Sequence, residues 1–269
     1  MTATAGDRRV ISYVPNTYGG VLRYDGVVAD ATYWDRIWDR LDHYTDYERA
    51  ERGHLPRQLA ATFLRWVKPG ARVLEAGCGL ATFTVATRAR GFETDGVDYA
   101  SKVVQRLQER FPDIAFFEGD VTNLVGVGDG TYDAVYSPGV CEHFEEGPEA
   151  VLRESHRILT PAGILVVSIP SFNAFRKTVY RFGAFQRPKS QPFYQYAFSK
   201  EEMTAVLERV GFEVVQTRHY GTLKTLSDHV PLVARAPLGP LRNPLAVTLD
   251  SLPAVRDWGH SCIWVGRKL

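Results

Sequence analysis

Between about residues 70 and 170, short apolar runs alternate with segments whose apolar positions recur at helical spacing. The runs at 73–76, 93–98, 115–118, 132–137 and 164–169 read as strands. The segments at 80–90, 102–110 and 149–159 read as helices. Gly91 closes the first helix, and Pro161 with Gly163 marks the turn after the third. Apolar runs of this kind are typical of strands buried on both faces, and strands alternating with helices predict a doubly wound parallel α/β sheet. Ser199-Lys200-Glu201-Glu202 then forms a capping box for a helix to Val210, ended by Gly211. Residues 212–215 and 262–265 read as closing strands.

Three segments interrupt the alternation. Residues 1–55 are dense in aromatic and charged side chains and are expected to form an N-terminal helical cap. Residues 170–198 make an unusually long connection. Residues 221–258 are rich in proline and leucine. Connections this long within a compact domain are usually functional lids or disordered linkers. The expected organisation is a single domain over 1–269, with a core at 56–170, a lid at 171–198, and the rest of the sheet at 199–269 carrying an insertion at 221–258.

Ligands of open parallel sheets sit beyond the carboxyl ends of the strands, so strand ends carry the candidate chemistry. The first strand runs into Glu75-Ala76-Gly77-Cys78-Gly79. Glycines allow a tight turn against a ligand, and a carboxylate just before them suits a cationic, amine-bearing ligand better than a pyrophosphate. A dinucleotide loop would also need a third glycine where Thr82 stands. These features favour S-adenosylmethionine, a sulfonium with an amino-acid tail. The second strand ends in Asp98-Tyr99, 19 residues past Gly79, where a carboxylate can accept both ribose hydroxyls. The third ends in Glu118-Gly119-Asp120-Val121, placing Asp120 for the adenine amine and Val121 against the ring. The fourth ends in Tyr136-Ser137-Pro138-Gly139, followed by Val140-Cys141-Glu142-His143-Phe144.

With Arg157-Ile158-Leu159-Thr160-Pro161-Ala162-Gly163, these motifs fall in an order that resembles class I S-adenosylmethionine-dependent methyltransferases. The similarity is to the small-molecule branch that includes ubiquinone and menaquinone methyltransferases, and it covers about residues 55–220. It implies a Rossmann-like sheet of seven strands with the last one antiparallel, and S-adenosyl-L-methionine as cofactor. It also implies that Glu75, Gly77 and Gly79 hold the methionine end and Asp98 the ribose, with Ala76, Cys78 and Tyr99 also in the cofactor site. Asp120 and Val121 would meet the adenine, with Ser137 and Pro138 beside them. Some quinone O-methyltransferases of this branch hold a metal with a Glu-His pair and an acid three residues earlier. Gly139 stands at that earlier position, so no metal is expected.

Glu142 and His143 are the candidate catalytic pair, standing where the methyl group would point. Methyl transfer needs alignment of the nucleophile and exclusion of water, and a hydroxyl or ammonium acceptor must also lose a proton. Histidine suits that proton transfer; it could equally cap the following helix. Residues 172–198 carry nine aromatic rings and no acid, with Arg176, Lys177, Arg181, Arg187 and Lys189 among them. Phe172, Arg176, Tyr180 and Tyr194 are therefore candidate substrate contacts for a flat or greasy, anionic or lipid-linked acceptor. A packed lid with solvated cations is an equal reading. Tyr33, Trp34 and Trp38 lie at helical spacing; Tyr33 is a further substrate candidate, whereas Trp38 reads as a helix anchor.

Composition narrows the rest. A formal charge of +1 gives no general reason to bind nucleic acid, and Ser137-Pro138-Gly139-Val140 lacks the ring that would stack a flipped base. Cys78, Cys141 and Cys262 have no paired spacing and read as packing residues. With no run long enough to span a bilayer and no signal peptide at 1–10, a cytoplasmic protein is expected, peripheral contact with a lipid surface remaining open. The main alternative is a protein that binds S-adenosylmethionine without methylating anything.

Overall fold

The computed structural model describes residues 10–14, 21–182 and 192–269. The chain runs β1 (Val10–Val14), β2 (Val21–Asp25), α1 (Ala31–Asp42), α2 (Tyr47–Glu51), α3 (Arg57–Trp66), β3 (Arg72–Ala76), α4 (Thr82–Ala89), β4 (Glu93–Asp98) and α5 (Ser101–Arg110). It continues with β5 (Phe116–Glu118), β6 (Tyr132–Pro138), α6 (Glu149–Ile158), β7 (Leu159–Pro170), α7 (Ala174–Phe182), β8 (Phe193–Phe198) and α8 (Lys200–Val210). It closes with β9 (Phe212–Tyr220), α9 (Thr222–His229), α10 (Pro231–Arg235), α11 (Arg242–Ser251) and β10 (Ser261–Lys268).

The main sheet has seven strands in the order β5-β4-β3-β6-β7-β10-β9. β10 is antiparallel to both neighbours, and the pairs from β5 to β7 are parallel. The alternation read between residues 70 and 170 is thus a Rossmann-like α/β sheet. Its two faces follow the period of a strand. Leu74, Val135, Leu165 and Trp264 pack on α6 and α8 through Leu152, Ile158, Met203 and Leu207. Val73, Ala134, Val166 and Val265 face the other way, toward Phe63 of α3 and Phe83 of α4. The capping box is formed, with Glu202 N donating to Ser199 Oγ at 3.1 Å. β4 leaves β3 on one side and β6 leaves it on the other, so the crevice above β3 is the natural ligand position.

Beyond this sheet the structure departs from the sequence reading. Residues 1–55 are not purely a helical cap: β1 and β2 precede α1. Residues 171–198 are not one continuous lid either. They divide into α7 and β8, and β8 pairs with β2 in a three-stranded antiparallel sheet of order β1-β2-β8. The run Phe193-Tyr194-Gln195-Tyr196-Ala197-Phe198, between Pro192 and Ser199, carries the β-propensity for a strand. Its partner lies some 170 residues away, so local pattern could not supply the pairing. Residues 221–258 hold α9, α10 and α11. Cys78, Cys141 and Cys262 are all buried and free.

Candidate functional site

The glycine loop after β3 is fixed from both sides. Gly77 N and Cys78 N both donate to Val97 O at 2.8 Å, tying the loop to the end of β4. Gly77 and Gly79 have φ of +78° and +50°, which favours glycine. Space also requires it: a Cβ on Gly77 would overlap the Val140 side chain, and one on Gly79 would meet the Trp38 indole at 2.8 Å. Glu75 turns away from the crevice. Its Oε2 accepts from Thr84 N at 2.9 Å and from the Thr84 hydroxyl, so it clamps the start of α4. Burial pushes its carboxyl up to about 8 against the pull of those two bonds.

Asp98 closes β4 at 4% exposure. Its Oδ2 accepts from Gly79 N at 2.8 Å and its Oδ1 from Ala100 N at 2.9 Å. Burial raises its pKa while the amides of Ala100, Gly79 and Tyr99 hold it down. The carboxylate keeps lone-pair capacity beyond these amides for a ligand hydroxyl. Tyr99 donates its hydroxyl to Ala29 O at 2.6 Å, fastening the segment before α1. Asp120 Oδ1 takes the amide and hydroxyl of Thr122 at 2.8 and 2.7 Å. Ser137 Oγ donates to Ala76 O at 3.0 Å and joins β6 to β3.

These strand ends enclose a cavity of about 350 Å³. Gly77, Asp98, Tyr99, Asp120, Val121 and Pro138 line it, and so does His143. Glu75, Ala76, Cys78, Gly79, Ser137 and Glu142 are not among the residues that line it. Trp34 and Trp38 of α1 stack at 5.3 Å between centroids and form one side. Trp38, read from sequence as a helix anchor, lies over Gly79 and lines the cavity as well. Ala29, Gly139, Val140 and Phe144 complete the lining; no sequence motif marks the first, and the others stand within the quoted loop after β6.

His143 stands where α1, β8 and the turn after β6 meet. The Trp34 and Tyr194 rings are both edge-on to it, with centroids at 5.1 and 5.0 Å. Its Nδ1 lies 2.8 Å from Tyr194 O. Tyr33 joins the cluster through Trp34 and Tyr194. Glu142 is 3% exposed, and its Oε2 has no hydrogen-bond partner among the described residues. Burial pushes its carboxyl up to about 8. Among the described residues no three His, Cys, Asp or Glu side chains gather as a metal site.

The remaining substrate candidates lie elsewhere. Arg176 is 2% exposed and turned toward the α9 side, donating to Ser171 O at 2.7 Å and approaching His260 Nδ1 at 2.7 Å. Phe172 packs with Leu22 and Ala197, and Tyr180 lies beside Phe172 and His229. The structure does not bring Phe172, Arg176 or Tyr180 to the cavity, because α7 docks them against the small sheet and the C-terminal helices. The side chains of Arg181, Arg187 and Lys189 fall outside the described residues.

A family model described as a methyltransferase domain matches residues 47–217, more than half of the chain. The chain belongs to that family. It is 32% identical over 153 residues to a probable S-adenosylmethionine-dependent methyltransferase of Mycolicibacterium smegmatis, covering 55% of this chain and 54% of that one. It is 33% identical over 109 residues to the demethylmenaquinone methyltransferase of Beutenbergia cavernae, covering 38% of this chain and 41% of that one. The chain thus spans about half the length, or less, of these curated relatives. An S-adenosylmethionine-dependent methyltransferase from Mesorhizobium loti shares its fold, with a TM-score of 0.55 at 17% identity over 83% of this chain and 100% of that one. Family and fold together imply S-adenosylmethionine as the cofactor of this methyltransferase domain, in agreement with the sequence.

The residues present fit that cofactor. A buried carboxylate with spare lone pairs faces a cavity within the size range of small-molecule sites. The Trp38 Nε1 donor is buried beside it without a partner among the described residues, and an acceptor atom on a bound molecule would satisfy it. No helix among the described residues is long and apolar enough to cross a membrane.

Proposed function

We propose that this protein transfers a methyl group from S-adenosylmethionine to a small-molecule acceptor, with His143 as the general base. The observation that carries this reading is the hydrogen bond from His143 Nδ1 to Tyr194 O. A carbonyl oxygen can only accept, so Nδ1 bears the proton and the neutral ring keeps its lone pair on Nε2. That leaves the basic nitrogen on a side chain that lines the cavity.

The bound cofactor supplies an electrophilic methyl group on a good leaving group. The chain's own residues do the rest. Asp98 orients the ribose, Asp120 and Val121 meet the adenine, and the glycine loop admits the methionine end. Trp34 and Trp38 exclude water from above. His143 Nε2 takes the proton of the attacking hydroxyl or ammonium, which is worth roughly 100-fold or more in rate. The acceptor is a bulky aromatic, sugar or lipid-linked compound of a biosynthetic pathway, methylated on oxygen or nitrogen. Two carboxylates and no described cation line the cavity, which favours a neutral acceptor over the anionic one expected from Arg176.

The test is transfer of labelled methyl to a panel of phenols, amines and sugars by wild type and His143→Ala. The variant should lose roughly 100-fold in turnover with its cofactor dissociation constant unchanged. Near-full turnover in the variant would remove the base from the mechanism. Absence of transfer to every acceptor, with the cofactor bound, would favour a non-methylating binding protein.

A further inference from the structure

The segment between α9 and β10 differs from the rest of the chain. From residue 230 to residue 258 no side chain is buried. Leu232 is 82% exposed and Leu241 67%, with Leu245 and Leu252 also exposed. Arg235 and Arg242 are exposed beside these leucines, and neither has an ion-pair partner among the described residues. The acids nearby are engaged. Asp250 accepts from Gly221 N and Thr222 N at 3.0 and 2.8 Å, holding the start of α9, and Asp257 lies 3.5 Å from His219 Nδ1. α9 follows Tyr220 of β9, and the chain returns from the segment to Ser261 of β10, paired with that same Tyr220. β9 and β7 both run opposite to β10, so the segment sits on the same edge of the sheet as the cavity.

We infer that this surface docks on an anionic lipid bilayer, the leucines entering the headgroup–acyl boundary and Arg235 and Arg242 meeting the headgroups. Exposed leucines interleaved with unpaired arginines suit a bilayer interface, where apolar side chains enter the acyl boundary and cations meet anionic headgroups. Protein interfaces concentrate binding in exposed aromatic anchors, and the one aromatic side chain of residues 230–258, Trp258, is packed on Phe175. The docking is independent of the acceptor's identity. It would face the cavity edge toward the membrane.

The test uses the full chain and vesicles of phosphatidylcholine alone or of equimolar phosphatidylcholine and phosphatidylglycerol, by co-sedimentation. Wild type should prefer the anionic vesicles and be released at an ionic strength of about 1 M. Arg235→Ala with Arg242→Ala should weaken binding roughly thirtyfold, at a contribution of one exposed cation each. Leu232→Asp with Leu241→Asp should weaken it at least tenfold on the order expected for two leucines. Both variants change exposed positions, so their melting temperatures should match wild type. Equal binding to both vesicles, no binding, or retention by both variants would overturn the inference. So would a dimer of the wild type that the leucine variant converts to monomer, since the face would then belong to a second copy of the chain.

Discussion

The cofactor side and the acceptor side of the cavity are built in different ways. On the cofactor side each functional residue is positioned by a close neighbour in the chain or by the adjoining strand. Glu75 clamps Thr84, Asp98 takes the amides of Gly79 and Ala100, and Asp120 takes Thr122. On the acceptor side His143 is held by Tyr194, 51 residues away, and by Trp34 from near the start of the described chain. The first arrangement comes with the β-turn-α units. The second exists once the small sheet has formed and α1 has docked. The glycine loop and the carboxylates at the strand ends are therefore held by the core, with Trp38 of α1 laid over Gly79, whereas His143 is held by the added N-terminal helix and by β8.

Gly77→Ala strikes where the two sides touch and should have the largest effect. The new Cβ would overlap Val140, and alanine resists a φ of +78°. Strain and overpacking together cost roughly 2–5 kcal/mol. Cofactor affinity should collapse along with acceptor turnover, read by calorimetry and by thermal unfolding. A variant with wild-type melting and affinity would show that the two sides are not in contact in solution.

Asp98→Ala acts on the cofactor side alone. It removes bonds to two loop amides as well as the contacts proposed for the ribose. At about 1.5–3 kcal/mol per hydrogen bond to a charged group, each ribose bond lost should weaken cofactor binding by about ten- to a hundredfold. The melting temperature should also fall, because the carboxylate orders the glycine loop. An unchanged dissociation constant would reduce Asp98 to a loop brace.

Glu142→Gln should have the smallest effect, confined to the acceptor side and to a pH window. Burial lifts the Glu142 carboxyl from 4.5 to about 8. Below the lower value both folded and unfolded chains are protonated. Between the two values the unfolded chain has lost the proton and the folded chain keeps it, so this group's contribution to stability falls as pH rises and levels off above about 8. Glutamine removes that slope. The variant should gain on wild type by on the order of a few degrees in melting temperature between about pH 5 and pH 8. A constant difference across that range would mean that Glu142 is ionised in the folded protein.

Much of the cofactor side was legible in the sequence because its information is local. The apolar runs, the spacing from Gly79 to Asp98 and the capping box at Ser199 each fix one strand, loop or helix start within about twenty residues. The acceptor side was less so. Trp34 and Trp38 stood at helical spacing, but nothing local told that the Trp38 indole would cover Gly79. Arg176 looked like a lid cation in a run rich in rings, yet it is buried against Ser171 and His260. Charge composition reports which side chains are available; it does not report which way a helix turns them.

By itself the sequence determined the resemblance to the family, the alternation of the parallel core, and the acids and glycines at the carboxyl ends of its strands. Strand burial and turn chemistry act over short stretches of chain and leave a readable pattern. Only the tertiary structure decided that β8 joins β2, that the Tyr194 carbonyl sets the His143 tautomer, and that residues 230–258 remain outside the core. Pairings between distant segments are selected by whole-chain packing, where loop closure and burial of both partners count together, and no window of sequence contains both sides of that choice.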